Sequence, residues 1–157
     1  MSKKKKNILV PLSEIVPTNR MEEIELAMLE SGEACEEEIM CPLQHHFSPG
    51  VYVREITMPA NTYILGHKHH TTHINILSKG SCILADVDTG ETIELIAPCT
   101  FESKEGVQKL LYIVEECVWS TVHVTEETDI SKLEDTLFNY SRICKLTRDK
   151  DKYIGGR

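Results

Sequence analysis

From Val51 to about Thr125 hydrophobic and polar positions alternate with a period of two, in "VYVREITM", "THINILSK", "SCILADVD", "ETIELIAP", "QKLLYIVEE" and "VWSTVHVT". Alternation of that kind turns every second side chain to one face, and these segments are rich in the β-branched and aromatic residues that pack well on a pleated sheet. "DTGE", Asp88 to Glu91, puts Gly90 where a hairpin turn needs positive φ. Short strands in succession with no helix between them predict a sandwich or a closed barrel.

On either side the period lengthens to that of a helix. In "TNRMEEIELAMLESG", Asn19 is the expected N-cap with Glu22 three residues on, Ile24 and Met28 share a face, and Gly32 ends the run. A polar stretch through "CPLQHHFSPG" reads as a loop leading into the sheet. After the last strand, "TDISKLEDTLFNYSRI" is helical again: Ser131 and Glu134 have capping-box spacing, and Leu133, Leu137 and Phe138 form an apolar face to lie against the sheet. The chain thus divides into an N-terminal tail, helix and loop (1–46), a barrel (47–125), and a C-terminal helix and tail packing on it (126–157).

Composition narrows the picture. With 157 residues, 41% of them hydrophobic, the chain suits one domain with a sizeable core. Its apolar runs fall far short of the ~20 residues of a membrane span, and "MSKKKKNILVPL" has too few apolar residues for a secretory signal, so a soluble, cytoplasmic protein is expected. A net charge of −8 argues against general nucleic-acid binding, which needs a basic surface. The "KKKK" run at Lys3 to Lys6 reads as a solvated tail, and "EACEEEIM" at Glu33 to Met40 as a solvated loop. The six cysteines, 35, 41, 82, 99, 117 and 144, include no CxxC pair and are expected as free thiols, with Cys82, Cys99 and Cys117 serving as small core residues.

Four of the seven histidines fall within "GHKHHTTH", Gly66 to His73. His67 and His69 are two apart in extended chain and share a face. After the bend at "HTT", His73 and Asn75 begin the next strand, again on one face. Three neutral imidazoles on one point would suit zinc or a transition metal. The plain alternative is a hydrogen-bonded polar lining. His70 belongs on the opposite face, in solvent, and His45 and His46 read as surface residues.

This segment resembles the first signature of the cupin superfamily: two histidines separated by one residue, a glutamate about four further on, and a glycine seven after it. His67, His69 and Gly80 match, and His73 stands where the glutamate would be. In the second signature Gly106 of "KEGVQK" fits the turn, Lys104 takes the proline position, and Lys109 replaces the histidine that completes the metal shell. The resemblance covers about Phe47 to Thr125. The wider run "HHFSPGVYVREITMPAN" with "EGVQKLLYI" is similar to small cupins of tailed bacteriophages, which would place the protein in a host cytoplasm.

The resemblance implies a mostly β fold, a double-stranded β-helix or jelly-roll barrel with short terminal helices, and metal ligands His67, His69 and His73 for a divalent Zn, Fe, Mn or Ni ion. His123 is a compensating ligand if it faces inward. Asn75, Lys109, His123, Tyr52, Arg54 and Tyr63 are the candidate ligand-binding residues. Trp119 reads as core or interface.

Two function classes remain open. One is a binding protein holding a small anionic molecule in a His-lined cavity, with or without a divalent ion. The other is a metal-dependent enzyme of the dioxygenase, isomerase, lyase or hydrolase type. A phage-encoded protein sequestering or degrading a host small molecule is a special case of either. Edge strands and an apolar sheet face call for cover, so light scattering at micromolar concentration is expected to report a homodimer.

Overall fold

The computed structural model describes residues 10–32, 40–87, 89–139 and 141–147. The lysine run, the acidic run at 33–39, Cys35 and Asp88 lie outside them. The described residues form two compact units, 40–139 and 10–32 with 141–147. Residues 126–139 therefore belong with the barrel, and 141–147 with the N-terminal helix.

In the smaller unit, a 3-10 turn (Leu12–Glu14) precedes helix α1 (Arg20–Glu30), and Ile15, Leu26 and Ile143 form the core. Asn19 caps α1 as expected, its side chain accepting the Glu22 N–H at 2.9 Å. Glu22 does not complete a capping box on Asn19. Its carboxylate accepts from the Thr18 amide (2.7 Å) and hydroxyl (2.9 Å) and from Nε (3.0 Å) and Nη2 (2.7 Å) of Arg142. The Arg142 hydrogen bond, with help from Thr18, holds this carboxyl down at about 2 against burial. Glu22→Gln is expected to cost on the order of 1–3 kcal/mol at pH 7. A depressed folded pKa stabilises above the unfolded value near 4.5 and stops doing so as pH falls toward 2. Urea titrations should therefore show wild type and variant converging between those limits.

The larger unit is antiparallel throughout. Its strands are β1 (Leu43–Ser48), β2 (Val51–Met58), β3 (Thr62–Leu65), β4 (Lys68–His69), β5 (His73–Ala85), β6 (Thr92–Ile96), β7 (Cys99–Ser103) and β8 (Leu110–Val124). Four segments read separately in the sequence merge into two long strands, because "THINILSK" joins "SCILADVD" through Gly80 and "QKLLYIVEE" joins "VWSTVHVT" through Cys117. Register shifts near Lys79 and Ser81 let β5 and β8 bend from one sheet to another. The N-terminal half of β5 and the C-terminal half of β8 carry β1-β2-β8-β5-β7, and the remaining halves β3-β8-β5-β6. Gly80, at φ +88, permits the close approach: a Cβ there would overlap the backbone carbonyl of Glu116.

Between the sheets lie Cys41, Ile56, Met58, Leu77, Cys82, Leu111, Ile113, Cys117 and Trp119. The alternation in β2 is complete, with Tyr52, Arg54, Ile56 and Met58 all inward. Among the described residues Cys41, Cys82, Cys99, Cys117 and Cys144 form no disulfide, and burial pushes the Cys82 thiol up to about 12. The stretch read as a loop at 41–50 contains β1, whose mixed burial, one face open to solvent, hides the period.

After β8, helix α2 (Ile130–Leu137) is capped by Asp129, which accepts from the Ser131 amide at 3.0 Å and hydroxyl at 2.7 Å, so Ser131 is not the cap. Leu133 and Leu137 pack with Tyr52 and Phe138. The predicted helix stops there: β9 (Phe138–Asn139) pairs with β4, and a separate helix α3 (Arg142–Thr147) follows.

Candidate functional site

Register builds the site in layers. β2, β8 and β5 lie side by side, so Ile56, Trp119 and Leu77 form one inward row, and Arg54, Thr121 and Asn75 the next. Tyr52 faces His123 one step further along. The barrel interior therefore grades from apolar to polar along the strands. His67 and His69 are brought over the polar end by the β4–β9 pairing and by the His70 amide, which donates to Leu137 O at 3.0 Å. The turn at Gly106 (φ +79) is tied to the same segment, its amide donating to His69 O at 2.9 Å.

A cavity of about 70 Å³, open to solvent, is lined by Arg54, His67, His69, Asn75, Lys109, Thr121 and Trp119 on its polar side and by Ile56, Met58, Ile64 and Leu111 on the other. No carboxylate lines it. Lys109 makes no ion pair among the described residues, and burial pulls its ammonium down to about 8. Asn75 uses its polar atoms on the wall: Nδ2 donates to Ser103 Oγ at 2.8 Å, and Oδ1 accepts from Trp119 Nε1 at 3.0 Å. Trp119 is thus both core and cavity wall. Tyr63 is 64% exposed on β3 against Tyr112 and does not line the cavity. Tyr52 lies beside it, its hydroxyl 2.7 Å from Nδ1 of His45 and its ring stacked on His123.

The histidines cluster differently from the sequence expectation. His69, His73 and His123 have ring centroids 4.1–5.6 Å apart, whereas His67 lies along the cavity with its ring 5.6 Å from that of Phe138. A carbonyl only accepts, so the 3.0 Å contact of His73 Nδ1 with Thr71 O fixes the proton there and leaves Nε2 to accept from His69 Nδ1 at 2.8 Å. His123 Nε2 bonds Thr121 Oγ1 at 2.9 Å, and its Nδ1 is buried without a partner. Burial, reinforced by its neighbours, pushes His69 down to about 2 and His123 to about 4, and burial lowers His73 as well. All three are neutral at pH 7.

Three neutral imidazoles are chemically a donor set for a divalent ion. Among the described residues no three His, Cys, Asp or Glu side chains are disposed to hold a metal. The expected trio of His67, His69 and His73 does not converge, and the cations of Arg54 and Lys109 border the cavity with no carboxylate beside them to offset a further positive charge. The site residues missed in the sequence are Thr121 and the apolar wall; Thr121 was legible from strand parity with His123, and Phe138, read only as part of an apolar helix face, also packs against the rings of His67 and His69.

No family model and no curated protein matches the chain. Solved structures do. A cupin-2 domain containing protein from Shewanella frigidimarina is 15% identical over 61% of this chain and 89% of its own, with a TM-score of 0.45. Salicylate 1,2-dioxygenase from Pseudoaminobacter salicylatoxidans, as a gentisate adduct, is 12% identical over 76% of this chain but only 34% of that enzyme, with a TM-score of 0.51. The barrel has a cupin-type jelly-roll fold, shared with that dioxygenase. At such identities the likeness speaks for the fold alone, and the chemistry of this chain must come from its own residues. No helix among its described residues is long and apolar enough to cross a membrane.

Proposed function

We propose that this cupin binds a small anionic molecule in the barrel cavity, with Lys109 as its principal charge partner. The observation that carries the reading is a half-buried lysine in a cavity without a carboxylate. Desolvation without a counter-ion costs free energy, and an incoming anion recovers it through a charge-assisted hydrogen bond. The His69 imidazole and the Thr121 hydroxyl line the same wall. Size restricts the ligand: a 70 Å³ space holds a handful of waters, so an inorganic anion or a short carboxylate fits better than a nucleotide.

Calorimetric titration with oxalate and inorganic phosphate tests the reading. Lys109→Met is expected to weaken binding roughly ten- to a hundredfold, since such a contact is worth about 1.5–3 kcal/mol. Absence of binding to wild type, or equal affinity in the variant, would sink it. Elemental analysis of the same preparations separates it from a metal centre: a stoichiometric ion retained by wild type and lost in His69→Ala would replace the anion reading.

A further inference from the structure

Lys109 immediately precedes β8, and its side chain enters a cavity walled by Ile56, Met58, Leu111 and Trp119. Two exposed lysines are placed otherwise: Lys79 pairs with Glu116 at 2.9 Å and Lys104 with Glu102 at 2.5 Å, both in solvent. Lys109 alone among these three has an apolar wall, a solvent-open cavity in front of it and no carboxylate to keep it an ammonium. A lysine so desolvated is a nucleophile, because burial favours the neutral amine whose lone pair attacks carbonyl carbon.

We propose that Lys109 forms an imine with a small 2-oxo acid bound in the cavity. The inference rests on the anion-binding reading, which brings the carboxylate in; it adds a covalent bond to the neighbouring carbonyl. Neutral Nζ adds to the carbonyl carbon to give a carbinolamine. Loss of the former carbonyl oxygen as water, carrying both amine protons, then leaves the C=N bond. Nothing is oxidised or reduced, and the only co-reactant is the 2-oxo acid. Arg54, on the same wall, stays cationic after the amine has reacted and faces the carboxylate. The volume suits the smallest members of the class.

The test uses the full-length protein with glyoxylate and cyanoborohydride, which reduces an imine to a stable secondary amine that peptide mapping locates. With its ammonium at about 8, Lys109 is expected to be carboxymethylated on the order of a hundredfold faster at pH 7 than exposed Lys132. Oxalate, which has the carboxylates but no reactive carbonyl, should slow that labelling and leave Lys132 unaffected. Lys109→Arg should lose the fast adduct while still binding oxalate; if that variant does not fold, the oxalate competition in wild type decides. Labelling of Lys109 no faster than of Lys132, with oxalate binding intact, would overturn the imine and leave the anion reading standing. No oxalate binding and no preferential labelling would overturn both.

Discussion

Between pH 6.5 and 4 the protein is expected to lose much of its stability, well before most of its carboxylates titrate. The cause is the cluster of His69, His73 and His123, neutral when folded and free to take protons when unfolded. Folded values of about 2 for His69 and about 4 for His123 lie below the ordinary 6.5. The unfolded chain therefore binds more protons than the folded one as pH drops below 6.5, so stability rises with pH across that window and falls on acidification. At about 1.36 kcal/mol per pH step, either imidazole would cost on the order of 3 kcal/mol by pH 4. The two do not add fully, because repulsion from the neighbouring His73 enters both shifts. Against a typical total of about 5–15 kcal/mol the loss is large. Urea unfolding at half-unit pH intervals measures it, and His123→Phe should flatten the curve in that range. A wild type equally stable at pH 7 and pH 4.5 would mean that the imidazoles are not buried as a neutral cluster.

Gly80→Val is expected to abolish soluble expression. At φ +88 any side chain is strained, and here the Cβ also meets the carbonyl of Glu116 where the β5–β8 pairing shifts register. Both strands hold the two sheets together, so the backbone cannot yield locally. Even Gly80→Ala should cost about 4 kcal/mol or more, the range reserved for a few severe mechanisms. Gly90 provides the control: its φ is +76, but nothing lies within 4 Å of an added Cβ. Gly90→Ala should then cost only about 1 kcal/mol, the backbone penalty alone. Urea midpoints of the two alanine variants distinguish overlap from strain, and equal midpoints would refute the close approach.

Much of the barrel was written in local pattern. The period of two in "VYVREITM" gave β2 its boundaries and its inward set of Tyr52, Arg54, Ile56 and Met58, because burial on one face dictates the alternation directly. Asn19 as a helix cap and Gly90 in a hairpin turn are equally local, fixed by what a side chain or a φ angle permits within a few residues. The signature spacing of His67, His69, Gly80 and Gly106 led to the cupin-type fold that the chain shares with the dioxygenase.

The site's composition was decided elsewhere, by contacts between residues far apart in the chain. Sequence parity put His67 and His69 together, but β4 pairs with β9 rather than with the main sheet, and that pairing sets His69 against His73 while His67 lies along the cavity beside Phe138. His123 joins the cluster because β2, β8 and β5 align it there, 50 residues from His73 in number and 5.0 Å between ring centroids. Whether Lys109 faced solvent or the interior was undetermined in its own segment, since it stands just before β8 where strand alternation has not begun. Only the closing of the two sheets encloses it with apolar side chains and no carboxylate. The chain's local pattern determines which elements form and which face each buries; long-range strand pairing determines which polar groups then share a low-dielectric space, and it is that sharing which shifts their proton affinities.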